Sequence, residues 1–270
     1  QRTLARAQAA YEADPSLAHT VWYGRVLGFR YRIEEAIAVF SAGLERFPDS
    51  FELLRQRGHR YLSTRRFEEG LDDLSRAAEL IEGMEEWIEP DGAGNELPVP
   101  ATSIQFNTWY HLALAHYLLR DWDAAAAAYR RCLTWVRADD YDGLTACTDW
   151  LYMTLRRKGD DAAARALLET VPHDLPDEAF LEGPSYYRRL RMYRGELEPE
   201  DLLNPDKGSQ QIHDLETIYA TQGYGVGNWH LCEGELARAR EVFEKILQGR
   251  SRFAFGYIAA ELDLKEMAGA

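Results

Sequence analysis

"WYHLALAHYLLRDWDAAAAAYRRCL", residues 109–133, reads as two helices joined by a tight turn. Trp109, Leu112, His116 and Leu119 recur three and four residues apart, the spacing that gathers side chains on one helical face. After "RDW" the pattern resumes with Trp122, Ala125 and Tyr129. The intervening alanine run is strong helix former and close-packing surface, because alanine loses no side-chain freedom in a helix.

The same arrangement returns along the chain. Segments beginning at 17, 51, 106, 145 and 220 share one register. Their eighth places hold Gly24, Gly58, Ala113, Tyr152 and Gly227, and their twentieth places Ala36, Gly70, Ala125, Ala164 and Ala239. The twenty-fourth places hold Phe40, Leu74, Tyr129, Leu168 and Phe243. Antiparallel helices approach closely only where side chains are small, and a bulky residue one turn later fills the adjoining space. Between the two helices of each segment lies a turn: "RYR", "TRR", "RDW", "KGD" or "EGE". Strand-like alternation is missing, so the chain is predicted to be nearly all helix. The glycines of "GYGVGNW", 223–229, invite a phosphate-loop reading. Asn228 stands where the third glycine belongs, helix-like sequence precedes it, and the register already gives Gly227 a packing role. Gly223 and Gly225 receive no role from the register.

These places resemble the tetratricopeptide repeat, a helix-turn-helix of about 34 residues with a W-x2-L-G-x2-Y…A-x3-F…P pattern. Residues 109–133 match it best, through Trp109, Leu112, Ala113, His116, Ala125 and Tyr129, and Pro48 supplies a terminal proline in the first segment. Three places depart from the pattern: Arg57 in place of Leu, Tyr152 in place of Gly, and Gly223 in place of Trp. The resemblance implies an all-α solenoid, a right-handed superhelix of about six helix pairs with a closing helix. One domain is expected over 1–270, with an opening helix at 1–14 and repeats at 17–50, 51–84, 106–139, 145–178 and 220–253. A degenerate repeat at 180–215 fills the long interval before 220, a cap helix spans 253–268, and a loop is inserted at 85–105.

The formal net charge of -14 opposes non-specific binding to nucleic acid or anionic membranes. No apolar run is long enough for a membrane span. Cys132, Cys147 and Cys232 are odd in number and dispersed, with no metal-ligand spacing. The sequence opens at Gln1, so an export signal is expected to lie upstream if there is one; cytoplasmic and exported, periplasmic settings both fit.

Catalytic and metal constellations are not assembled by spacing. Asp91, Asn95 and Glu96 lack the order of a calcium loop, and no serine or cysteine sits in a nucleophile motif. The acid pairs Glu34–Glu35, Glu68–Glu69 and Asp160–Asp161 recur at helix starts, where the helix dipole favours negative charge. No cofactor and no metal are expected.

What the resemblance does supply is a concave face. Ligands of this family usually lie along fixed places of each first helix, which here offer Arg25, Phe29, Arg55, His59, Asn107, Tyr110 and His111. Further along, Asp149, Arg156, Tyr224 and Asn228 take the corresponding places. Aromatic anchors beside arginines suit a protein or an extended peptide, an acidic one above all. Chaperone-binding members use Lys and Asn at the fifth and ninth places of the first repeat, where this chain has Val21 and Arg25, which argues against that ligand. The leading expectation is therefore a non-catalytic binding scaffold. A small-molecule or metal-dependent enzyme or binder using a pocket between the 85–105 loop and the groove, and a self-associating module forming homo-oligomers, are the alternatives.

Overall fold

The computed structural model describes residues 2–89, 102–203 and 215–269, so Asp91, Asn95 and Glu96 lie outside the described residues, as do positions 204–214 of the expected degenerate repeat. Among the described residues there are fourteen α-helices and no strand. They fall into two compact units, Gln1–Leu119 and Arg120–Ala270.

The N-terminal unit holds α1 (Arg2–Ala13), α2 (Leu17–Phe29), α3 (Ile33–Arg46), α4 (Phe51–Ser63), α5 (Phe67–Leu80) and α6 (Ile104–Leu118). Each helix packs on the next in sequence, and α4 also touches α2 and α6. The first helices of successive pairs therefore stand side by side. In the C-terminal unit are α7 (Trp122–Leu133), α8 (Tyr141–Lys158), α9 (Asp161–Leu168), α10 (Ser185–Tyr193), α11 (Pro199–Leu202), α12 (Leu215–Cys232), α13 (Leu236–Leu247) and α14 (Phe255–Gly269).

The small places of the register are helix contacts. A Cβ on Gly24 would overlap the Phe40 ring, and one on Gly227 would overlap Phe243. On α4 and α5 the backbones themselves meet: a Cβ on Gly58 would lie 2.7 Å from Leu74 Cγ, and one on Gly70 3.1 Å from the Gly58 carbonyl. The three departures from the pattern each have a local cause. Arg57 reaches across to Asp73 of α5 through two hydrogen bonds of 2.7 and 2.8 Å, and to Ser41 of α3 at 3.1 Å. Tyr152 turns outward from its own pair and stacks on Tyr193 of α10, ring centroids 4.1 Å apart. Gly223 presses against Ile246 of α13.

The fifteenth place of the register has its own constraint. Tyr31, Arg65, Arg120, Gly159 and Gly234 all adopt positive φ there, between 58° and 84°. A left-handed residue reverses the chain between helices in the fewest steps, and only glycine takes it without steric cost. Side-chain caps begin the following helices at Asp121 and Asp160, each accepting a backbone N–H at 3.1 Å. Where no capping side chain is present, Arg32 pairs with Glu35 and Arg66 with Glu69 across the first turn.

All three glycines of "GYGVGNW" lie inside α12, each against a different neighbour. Gly225, unaccounted for by the repeat, leaves room for Arg189 of α10: a Cβ there would collide with the Arg189 side chain. We predict that Gly227→Ala lowers stability by about 1–3 kcal/mol through overpacking, although alanine is the better helix former by about 1 kcal/mol. Chemical denaturation of Gly227→Ala, Phe243→Leu and the double variant checks this. Trimming the ring restores part of the loss if the contact is the cause; purely additive effects would refute it.

Candidate functional site

In the N-terminal unit, α2, α4 and α6 bring arginines, histidines and aromatic rings to one face. Successive turns of α4 place Arg55 and His59 in one row and Gln56 and Arg60 in the next. Arg55 and Arg60 are buried, His59 half-buried. From α6, Asn107 and His111 join them: His111 stacks on His59 with centroids 4.3 Å apart, and its Nδ1 donates to the Asn107 carbonyl at 2.7 Å. Tyr110 meets the His111 ring edge-on at 5.4 Å and stacks on Phe106. From α2 comes Arg25, close enough to Arg55 and Arg60 to depress both, while Phe29 projects at the helix end, 45% exposed.

One carboxylate enters this face, and it comes from the segment after α5. Glu89 accepts from Arg55 Nη2 at 2.7 Å, from Gln56 Nε2 at 3.5 Å and from Asn107 Nδ2. Its position is fixed by a short backbone clasp, in which Glu89 N donates to the Thr102 carbonyl and Ile104 N to the Trp87 carbonyl. Asn107 also donates to Thr102 Oγ1 at 2.8 Å.

Arg60 is different. Its guanidinium lies over Gly28 of α2, where a Cβ would come within 2.7 Å of Arg60 Cζ. It is 9% exposed, Nε meets no acceptor, and no carboxylate of the described residues pairs with it. Burial, with Arg55 and Arg25 nearby, lowers its pKa to about 10. Burial lowers Arg55 as well, against the pull of Glu89 and with a further push from Arg25. Three guanidiniums thus share a face with one described carboxylate. The family's lining places omit the tenth position, so the sequence pattern passes over Arg60; its separation of four from Gln56 and five from Arg55 is the signal that could have found it.

The remaining expected residues lie in the C-terminal unit, and three of the four are taken up by its interior. Asp149 is fully buried in an ion pair with Arg189 of α10, whose Nε donates to Oδ1 at 2.8 Å. Tyr224 is fully buried, donating to Asp263 of α14 at 3.0 Å. Asn228 is 1% exposed and accepts from Arg157 at 3.4 Å. The partners come from outside the matched repeats: the degenerate segment supplies α10, and the closing helix supplies Asp263. Arg156, partly exposed, is held by Asp161 and Glu233, each at 2.7 Å.

Asp263 is the hub of this unit. Besides Tyr224 it accepts from Arg120 at 2.6 Å and Arg157 at 2.8 Å. The dispersed cysteines are partly reunited: α7 and α8 set Cys132 beside Cys147, both buried, and burial pushes the Cys132 thiol up. Among the described residues no group of three His, Cys, Asp or Glu side chains could hold a metal ion.

The two histidines of the N-terminal face set a pH response. Burial, with Arg60, His111 and Arg55 around it, holds His59 well below the ordinary 6.5. Burial and Arg55 lower His111 to about 3, against the opposing pull of its bond to Asn107. Both stay neutral in the fold, whereas the unfolded chain protonates them below 6.5. The unfolded state then binds more protons, so stability is complete above 6.5 and is lost as pH falls from there towards 3. Each contributes a slope of about 1.4 kcal/mol per pH unit. Denaturation midpoints at pH 7 and 5.5 are expected to fall more for the natural chain than for the His59→Gln/His111→Gln double variant. Equal slopes would exclude this origin.

A model of the tetratricopeptide repeat family matches residues 108–134. No curated protein matches the sequence. Among solved structures, a tetratricopeptide repeat protein from Parabacteroides merdae ATCC 43184 aligns with 97% of this chain and 91% of its own, at 15% identity and a TM-score of 0.53. YrrB, described as a TPR protein with an unusual peptide-binding site, aligns over 96% of this chain and 97% of its own at 14% identity, with a TM-score of 0.49. The register and the all-α fold of stacked helix pairs agree with that match, and the chain shares its fold with the solved tetratricopeptide repeat protein.

Proposed function

We propose that the chain is a non-catalytic scaffold that binds a protein or extended peptide, with acidic residues of that partner docking on the α2–α4–α6 face of the N-terminal unit. The repeat fold suggests a protein–protein interaction scaffold, and no described helix is long and apolar enough to cross a membrane. The proposal treats the helix pairs as repeats, with α10 and α11 as a shortened member.

The observation that carries the finer reading is Arg60. A buried guanidinium without a carboxylate is costly to the fold, and a partner carboxylate arriving there relieves the cost while gaining a charge-assisted hydrogen bond. Glu89 shows the chemistry on the same face, since Arg55, Gln56 and Asn107 converge on its carboxylate. Tyr110 and the exposed Phe29 offer apolar contacts beside the charges. Asp149, Tyr224 and Asn228 drop out of the binding face in this reading, and Arg25, Arg55, His59, Arg60, Asn107, Tyr110 and His111 remain.

Two substitutions separate binding from folding. Arg60→Met removes an unpaired buried charge and is expected to raise stability by about 1–3 kcal/mol. Arg55→Met strands Glu89 and is expected to lower it. A random dodecamer display selection on the full chain should enrich peptides rich in Asp and Glu, and Arg60→Met should bind them at least about tenfold more weakly despite its greater stability. Enriched peptides without acidic residues, or equal affinity for the variant, would sink the proposal.

A further inference from the structure

The C-terminal unit contains a cavity of about 580 Å³ where α8, α12, α13 and α14 come together. This lies within the range of small-molecule sites, about 300–1,000 Å³. The charged groups on its wall are almost all neutralised from within. Arg156 is held by Asp161 and Glu233, and Arg157 by Asp263 and Glu266. Asp263 is itself saturated by Arg120, Arg157 and Tyr224.

Arg240 is the exception. It lines the cavity from α13, half-buried, and donates from Nη2 to the Met267 carbonyl at 3.2 Å. No described carboxylate lies within ion-pair distance of it. The apolar part of the wall is Leu231, Met267 and Leu236, the last 55% exposed although large and aliphatic. Cys232 adds a neutral surface, because burial pushes its thiol up to about 11.

We propose that this cavity binds a small aliphatic carboxylate, its head on Arg240 and its chain against Leu231, Leu236 and Met267. The chemistry selects that class. One guanidinium without a carboxylate partner matches a single negative charge, because the other charges of the wall are already matched. An aliphatic body takes the exposed leucine and the methionine out of water. This site is independent of the acidic-peptide face and lies wholly within the other unit.

Octanoate is the probe. Calorimetric titration of the full chain is expected to show saturable binding with Kd on the order of 0.1–1 mM. Octanamide, which has the same chain without the charge, should bind at least about tenfold more weakly, as should octanoate to Arg240→Gln. With methyl-labelled methionine, the Met267 resonance is the one expected to move during titration. Failure of octanoate to saturate, equal binding of octanamide, or movement only of other methionine signals would overturn the proposal. The octanamide comparison uses the unaltered chain, so it holds even if Arg240→Gln misfolds.

Discussion

Where Gly24 meets Phe40 and Gly227 meets Phe243, the backbone of one helix lies against a ring of the next, with no space for a methyl group between them. This close approach governs much else. It sets the distance between paired helices, and that distance dictates a left-handed residue in the turn that joins them. The turn in turn delivers acids or their arginine partners to the start of the second helix. Packing density leaves little freedom at such contacts, so small residues there are a geometric requirement.

That requirement explains why the fold was legible in the amino-acid order. Small, small and large side chains at fixed separations can be read from a linear string, and five copies reinforce one another. The side-chain cluster of the N-terminal unit was legible only where it used the same helices. Arg55, His59, Asn107, Tyr110 and His111 sit on first helices, at places that the repeat assigns. Glu89 was not, because a connecting segment carries it and its arrival depends on a backbone clasp outside the repeat. The ion pair of Asp149 was illegible for a related reason: its partner Arg189 belongs to a segment whose pattern has decayed. Gly225 shows the reciprocal effect, since its smallness serves that same arginine rather than the second helix of its own pair.

The two units treat buried charge in opposite ways. In the C-terminal unit Asp149, Arg189, Asp263, Arg120 and Arg157 are matched internally, and their desolvation is offset by short, multiple hydrogen bonds. In the N-terminal unit the positive groups outnumber the described carboxylates on the α2–α4–α6 face, and neutral histidines occupy the space between them.

The contacts of Asp263 also bear on how the C-terminal unit acquires its structure. Arrays of helix pairs ordinarily grow by neighbour contacts, so that a pair can be lost from one end while the others persist. Here Arg120, which opens the unit, is tied to an acid 143 residues later on its last helix. Until α14 docks, Arg120, Arg157 and the Tyr224 hydroxyl lack the carboxylate that they share. Docking of α14 therefore adds a contact across the whole unit to growth between neighbours, and pairings so distant in sequence slow folding.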